Sequence, residues 1–211
     1  MNIAVIFDQK LFAGGGYQQS LNALKLIKKN QENNYNFIFY TTILKNKKIL
    51  NKEEINLNYL KFSFILRILS KLRLNPRFYL LKILIDFIFP VSLLELELSF
   101  KNIDLVYFVS PSNLAIDLRS INYIFTVWDL CHLSYPEFPE VRKNNQFEIR
   151  ENLLNSILKK SFCIIVDSKY TKKQILSKYR IEKKRIKIIP FEPNSNLEKN
   201  IKPDFQDSLI K

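Results

Sequence analysis

The sequence predicts an α/β domain in which a parallel sheet carries helices on both faces, and three observations lead there. Short runs rich in β-branched and aromatic residues alternate along the chain with segments of helical period. Those runs are continuously apolar, as suits strands covered on both sides, where a half-exposed strand would alternate. The chain has 211 residues, 47% hydrophobic and 25% charged, which is the size and balance of one well-buried domain.

Strands are expected at Ile3–Phe7, Asn36–Thr41, Leu105–Val109, Tyr123–Val127, Cys163–Val166 and Ile186–Ile189. Helices are expected at Tyr17–Asn30, Phe62–Arg73, Arg77–Phe89, Leu93–Phe100, Asn145–Lys160 and Ser168–Tyr179. In the first helix Leu21, Leu24 and Ile27, with Leu26 beside them, form an inward stripe, and Lys25, Lys28 and Lys29 face out. Ser168 is placed to cap the last helix, which turns Ile175 and Leu176 inward and leaves Lys172, Lys173 and Lys178 in water. Beyond Ile189 the composition becomes linker-like: Pro190 and Pro193 stiffen the chain, and Ser195 to Lys211 is polar, charged and weakly periodic. The expected division is a domain over residues 1–193 and a tail over 194–211.

Charge is the outlier. Thirty-three Lys and Arg against twenty Asp and Glu give +13, which favours an anionic partner: nucleic acid, lipid headgroups or a phosphorylated substrate. Part of the excess accompanies abundant Asn, Ile and Phe, as AT-rich coding would produce. The lysines are spread over many elements and no nucleic-acid motif is present, so no nucleic-acid partner is expected. Cys131 and Cys163 form no C-x-x-C pair, which leaves neither a zinc nor a redox motif and fits reduced cytoplasmic thiols. Residues 1–8 read as a first strand, not a signal peptide. The greasiest stretch, Leu57 to Phe100, is broken by Lys61, Arg67, Lys71, Arg73, Arg77, Lys82 and Asp86, short of the ~20 apolar residues of a spanning helix. The expectation is a cytoplasmic protein, soluble or peripheral on the inner face of the cell membrane.

All three glycines are consecutive, Gly14, Gly15 and Gly16, at the turn from the first strand to the first helix. Glycine there lets a ligand approach backbone N–H groups, and the helix after it adds unpaired donors and the positive end of its dipole. Two readings stand: a cradle for a diphosphate, or a tight turn that needs flexible residues. The dinucleotide fingerprint is excluded, because Gln19 occupies its third glycine position and Thr41 and Thr42 stand where an acid would follow strand two. A Walker loop is excluded because no Gly-Lys-Ser/Thr comes after the glycines.

The second constellation runs from Thr126 to Val141, where a buried strand opens into a proline-stiffened loop. The lone Trp128 and the lone His132 are four residues apart with Asp129 between them. His132 has the chemistry to donate, accept or shuttle a proton near neutral pH, and Asp129 to orient it or hold a sugar hydroxyl. The other reading makes Asp129 a loop cap, His132 a satisfied surface residue and Trp128 packing.

Taken together, Gly14-Gly15-Gly16, Thr126-Val127-Trp128-Asp129-Leu130-Cys131-His132, Pro136-Glu137-Phe138-Pro139-Glu140-Val141, Ile165-Val166-Asp167-Ser168-Lys169-Tyr170-Thr171 and Arg185-Ile186-Lys187-Ile188-Ile189-Pro190-Phe191 resemble the family-4 glycosyltransferases of the GT-B fold. The resemblance implies two Rossmann-like domains facing a cleft, of which this chain is the N-terminal, acceptor-binding one. It implies that Gly14, Gly15 and Gly16 approach the diphosphate of a nucleotide-sugar donor and that the candidate catalytic residues Asp129 and His132 face the reacting sugar. A nucleotide-diphosphate sugar would be the donor substrate, with no permanently bound cofactor and no metal. The acceptor would be a saccharide or a lipid-linked acceptor. Two departures qualify the match. Many relatives carry His-Asp-Leu where Trp128-Asp129-Leu130 stands, so His132 instead resembles the histidine of an Asp-Leu-x-His subgroup. Relatives are also about twice this length, which implies that the donor domain is missing here, either encoded as a separate chain or lost by truncation.

The segment Phe62–Arg73 places Ile65, Ile68, Leu69 and Leu72 on one face and Arg67 with Lys71 on another. Such a helix either covers the sheet or lies on an anionic membrane surface, apolar face down. Two functional alternatives to the transferase remain at this level. One is a non-enzymatic basic module for a membrane surface or nucleic acid; the other is a folded remnant that binds nothing.

Overall fold

A computed structural model describes residues 1–10, 14–30, 34–51, 55–88 and 92–191, apart from the side chain of Lys82. Its strands are β1 (Asn2–Ile6), β2 (Asn36–Thr41), β3 (Leu57–Tyr59), β4 (Leu105–Phe108), β5 (Asn122–Val127), β6 (Cys163–Val166) and β7 (Ile186–Ile188). They form one sheet in the order β3-β2-β1-β4-β5-β6-β7, and every pairing is parallel. The fold is α/β and Rossmann-like. The chain grows outward from β1 in one direction through β2 and β3, then returns to β4 and grows the other way. That reversal makes the carboxyl ends of β1 and β4 the topological switch point, where open α/β sheets form a crevice.

The helices are α1 (Gly14–Lys29), α2 (Leu44–Leu50), α3 (Ser63–Leu74), α4 (Tyr79–Ile88), α5 (Leu93–Ser99), α6 (Cys131–Ser134), α7 (Pro139–Arg142), α8 (Gln146–Ile157) and α9 (Lys169–Tyr179). Alternation along β1 divides the interior into two cores. Ile3, Val5 and Phe7 pack with Tyr17, Leu21 and Leu24 of α1 and Leu50 of α2. Ala4 and Ile6 face the opposite side, with Leu66 of α3, Leu98 of α5, Leu154 of α8 and Ile175 of α9. Both faces of the sheet are therefore covered, which is why its strands read as continuous apolar runs. Ser168 caps α9, its hydroxyl accepting from Thr171 N at 3.1 Å. Lys172 departs from expectation. It is half-buried, and its ammonium donates to the Ile186 carbonyl at 2.6 Å.

Three expectations are corrected. The first helix begins at Gly14, not Tyr17, so the glycines are its opening turn. α2 and β3 escape a pattern reading because α2 buries only Asn46 and Leu50 and β3 has three residues. On α3 the inward row is Ser63, Leu66, Ser70, Arg73 and Leu74, whereas Ile65 and Ile68 point outward. Arg73 decides that rotation: its guanidinium pairs with the buried carboxylate of Asp117 and lies 3.0 Å from Asp86. Glu95 is a second buried charge, accepting the backbone N–H groups of Arg119, Ser120 and Ile121 and so fastening the entry to β5. Among the described residues no helix is long and apolar enough to cross a membrane. The expected tail, residues 194–211, and Phe89 lie outside the described residues.

Candidate functional site

Because all strands run the same way, the segments leaving β1, β4 and β5 emerge on one edge of the sheet. The segment after β1 leads to the glycine turn of α1. Gly14 has φ +72°, left-handed backbone that glycine adopts without cost, and Gly14 and Gly15 are exposed. Gly16 meets Trp128. A Cβ on Gly16 would lie 2.4 Å from Cζ3 and 2.5 Å from Cη2 of the indole, so the ring packs directly against the helix backbone. The tight-turn reading therefore accounts for Gly14 through its left-handed φ, contact with Trp128 accounts for Gly16, and Gly15 has open space around its Cα. The same contact joins the glycine turn to the loop after β5.

Along that loop, Asp129 is exposed at the sheet edge and its Oδ1 accepts from Cys131 N at 2.9 Å, opening the short α6. That is the loop-capping role of the simpler reading. His132 is not on the surface: it is 2% exposed. Its Nε2–H donates to Glu151 Oε1 at 2.9 Å, and the ring of Phe147 meets it edge-on at 5.7 Å. Glu151 comes from α8. Two consecutive left-handed residues, Asn144 and Asn145, turn the chain from α7 into α8 and so bring this carboxylate beneath the imidazole. Tyr179 of α9 donates its hydroxyl to the same oxygen at 2.5 Å, and Lys178 lies 3.6 Å from the other. Burial pushes the Glu151 carboxyl up, but the Tyr179 and His132 hydrogen bonds and the Lys178 charge outweigh it and hold it below the usual range. A charged Glu151 thus fixes the ring plane of His132 and the nitrogen that carries its proton.

His132 is also a wall residue. With Trp128, Asp129 and Arg150 it lines a cavity of about 250 Å³, mostly apolar, closed below by Phe125, Leu153 and Leu154. Trp128 separates this cavity from a smaller one on the α1 side of the sheet. Removing the carboxylate is expected to destabilise this corner, since Glu151→Ala leaves His132 and Tyr179 without their acceptor. The expected cost is about 1–3 kcal/mol, measurable as a lower denaturation midpoint, and the imidazole NMR signals of His132 should shift with it.

Sequence reading missed Asp8, at the switch point itself. Its Oδ2 accepts from the Ser112 hydroxyl at 2.6 Å and its Oδ1 from Ser110 at 3.4 Å, joining the ends of β1 and β4. Burial pushes its carboxyl above the usual range, against the two serine hydroxyls and the charge of Arg67. Asp8 lines a polar cavity of about 210 Å³ with Lys10, Arg67, Lys71 and Ser112. Pro111 stands between this cavity and that of His132, lining both. The signal available in the sequence was an acid one residue beyond a buried strand in a parallel sheet.

No protein-family model matches the chain, and no curated protein matches it. Among solved structures it is similar to a glycosyltransferase from Rickettsia africae ESF-5, at 16% identity and a TM-score of 0.49, over 99% of this chain and 48% of that one. The chain spans about half the length of that solved chain.

Proposed function

We propose that this chain is the acceptor-side half of a GT-B glycosyltransferase of the family-4 kind, transferring a sugar from a nucleotide-diphosphate donor to a saccharide or lipid-linked acceptor. The observation that carries the reading is the packing of Trp128 on Gly16, by which the two motifs meet at one rim of the parallel sheet. The chemistry such a rim offers is electrostatic. As the bond to the donor sugar breaks, negative charge grows on the departing diphosphate, where the amide groups and dipole of α1 favour it. Asp129, exposed and lining the His132 cavity, would hold sugar hydroxyls. His132, buried and tied to Glu151, acts as a fixed donor or acceptor in the cavity wall in place of a mobile shuttle. A donor-binding domain facing this rim would close the cleft.

Gly15 gives the direct test. Aspartate fits there, because nothing lies within 4 Å of its Cβ direction. Titration of the purified chain with uridine diphosphate, and with the other nucleoside diphosphates in turn, should detect weak binding that Gly15→Asp abolishes without lowering Tm. Binding indifferent to Gly15→Asp counts against the proposal. The chain alone is expected to transfer no sugar at a robust rate, and robust transfer from a nucleotide sugar would contradict its assignment as one half.

A further inference from the structure

The polar cavity at the switch point and the outer face of α3 belong to one surface. Arg67, Ser70 and Lys71 line the cavity from α3, opposite Asp8, Lys10 and Ser112. Both oxygens of Asp8 accept from serine hydroxyls of the wall, and the charge of Arg67 also acts on its carboxyl; three cations, Lys10, Arg67 and Lys71, thus share the cavity with one acid. Arg67 and Lys71 are one helical turn apart, between the buried row of α3 and its exposed side. Phe64 and Ile68 precede them by three residues each and so form the next row outward. These two are 75% and 43% exposed. The helix packed beside it, α4, is exposed as well, with Leu80 80%, Leu84 52% and Phe87 84% exposed. Apolar side chains in such number on one exposed helix pair mark a contact surface, not ordinary scatter.

We propose that this surface binds a lipid-linked phosphate, the phosphate seated in the cavity between Arg67 and Lys71 and the hydrocarbon lying along the exposed side of α3 and α4. An amphiphile of that kind matches the order of the surface, with a cationic cavity on one side of a helix row and apolar side chains on the next. A second copy of the chain fits less well. A two-fold contact through α3 and α4 would bring each cationic rim toward its own image, in a protein already carrying +13. The inference rests on the sugar-transfer reading only in naming the bound lipid as the acceptor.

Co-sedimentation of the full chain with phosphatidylcholine vesicles tests it, the vesicles carrying either a minor fraction of polyprenyl phosphate or phosphatidylglycerol at matched charge. The polyprenyl phosphate vesicles are expected to bind about tenfold more tightly, on the strength of two cations closing on one phosphate. Arg67→Gln with Lys71→Gln should remove that preference, Phe64→Ser with Ile68→Ser should remove binding to both vesicles, and inorganic phosphate in excess should erode the preference. All four positions are exposed, and a Tm close to wild type confirms that the variants fold. Equal binding to the two vesicles, no binding to either, or a preference that survives Arg67→Gln with Lys71→Gln overturns the proposal. No donor and no turnover are involved, so failure here leaves the nucleotide titration at Gly15 to judge the transferase reading on its own.

Discussion

Valine at Gly16 is expected to lower the unfolding free energy by about 1–3 kcal/mol and to abolish nucleoside-diphosphate binding. The physical cause is the indole of Trp128, 2.4 Å from where a Cβ would lie. Trp128 is half-buried and forms part of the partition between two cavities, so its displacement disturbs both walls. Either the ring turns out of its place or the first turn of α1 lifts from the sheet edge. Each outcome separates the glycine turn from the Trp128–His132 loop. For a chain of this size the expected fall in Tm is about 2–4 °C per kcal/mol. A double-mutant cycle isolates the contact. Trp128→Leu makes room for the new side chain, so Gly16→Val should cost much less in that background, with a coupling energy on the order of the single-mutant loss. Additive effects would mean that the glycine is there for another reason. Gly15→Ala is the internal control: with open space around it and ordinary helical backbone, it should be neutral or slightly stabilising.

What could be read from the sequence depends on physical range. The six strands expected from apolar runs are all present, because a strand covered on both faces leaves its mark in its own residues. Ser168 as a cap was legible for the same reason, its partner Thr171 being three residues away. The direction in which α3 faces was not. Its apolar periodicity points to Ile65 and Ile68, but the buried face is chosen by Arg73 meeting Asp117, 44 residues on. A pairing of that sequence separation has no local signature. The same holds at the site. The glycine triplet and the Trp128–His132 loop stand out by composition, whereas Glu151, which fixes His132, and Ser112, which holds Asp8, are ordinary residues until the sheet brings their elements together. His132 as a lone histidine was visible in the sequence; that it is buried was not.

Arg73 is expected to be the most costly single side chain to remove. Its guanidinium is enclosed between the Asp117 carboxylate and Asp86, which Arg119 also holds at 2.7 Å. Satisfaction is incomplete: Arg73 Nε and Asp117 Oδ2 have no hydrogen-bond partner among the described residues, although Nε lies 3.0 Å from Asp86. Truncation by Arg73→Ala leaves a buried carboxylate facing a second one, for an expected loss of about 3–5 kcal/mol. The loss should depend on pH, with a definite sign. Burial raises Asp117 from 3.8 to about 6 in spite of Arg73, so between those values the folded protein holds a proton that the unfolded chain has released. Stability from this group is therefore fully present below pH 3.8 and lost as pH rises through about 6. Asp117→Asn, which keeps the shape and cannot ionise, should flatten that part of the profile. Relative to wild type it gains roughly 3 kcal/mol between acid and neutral pH, from two units at about 1.4 kcal/mol each. Without Arg73 the carboxyl rises further, so the deficit of Arg73→Ala should deepen above neutral and shrink in mild acid. Denaturant unfolding of the three proteins from mild acid to slightly alkaline pH reads all of this at once. An Arg73→Ala deficit that stayed constant across the range would show that the arginine acts through packing of its stem on α3 and not through the charge of Asp117.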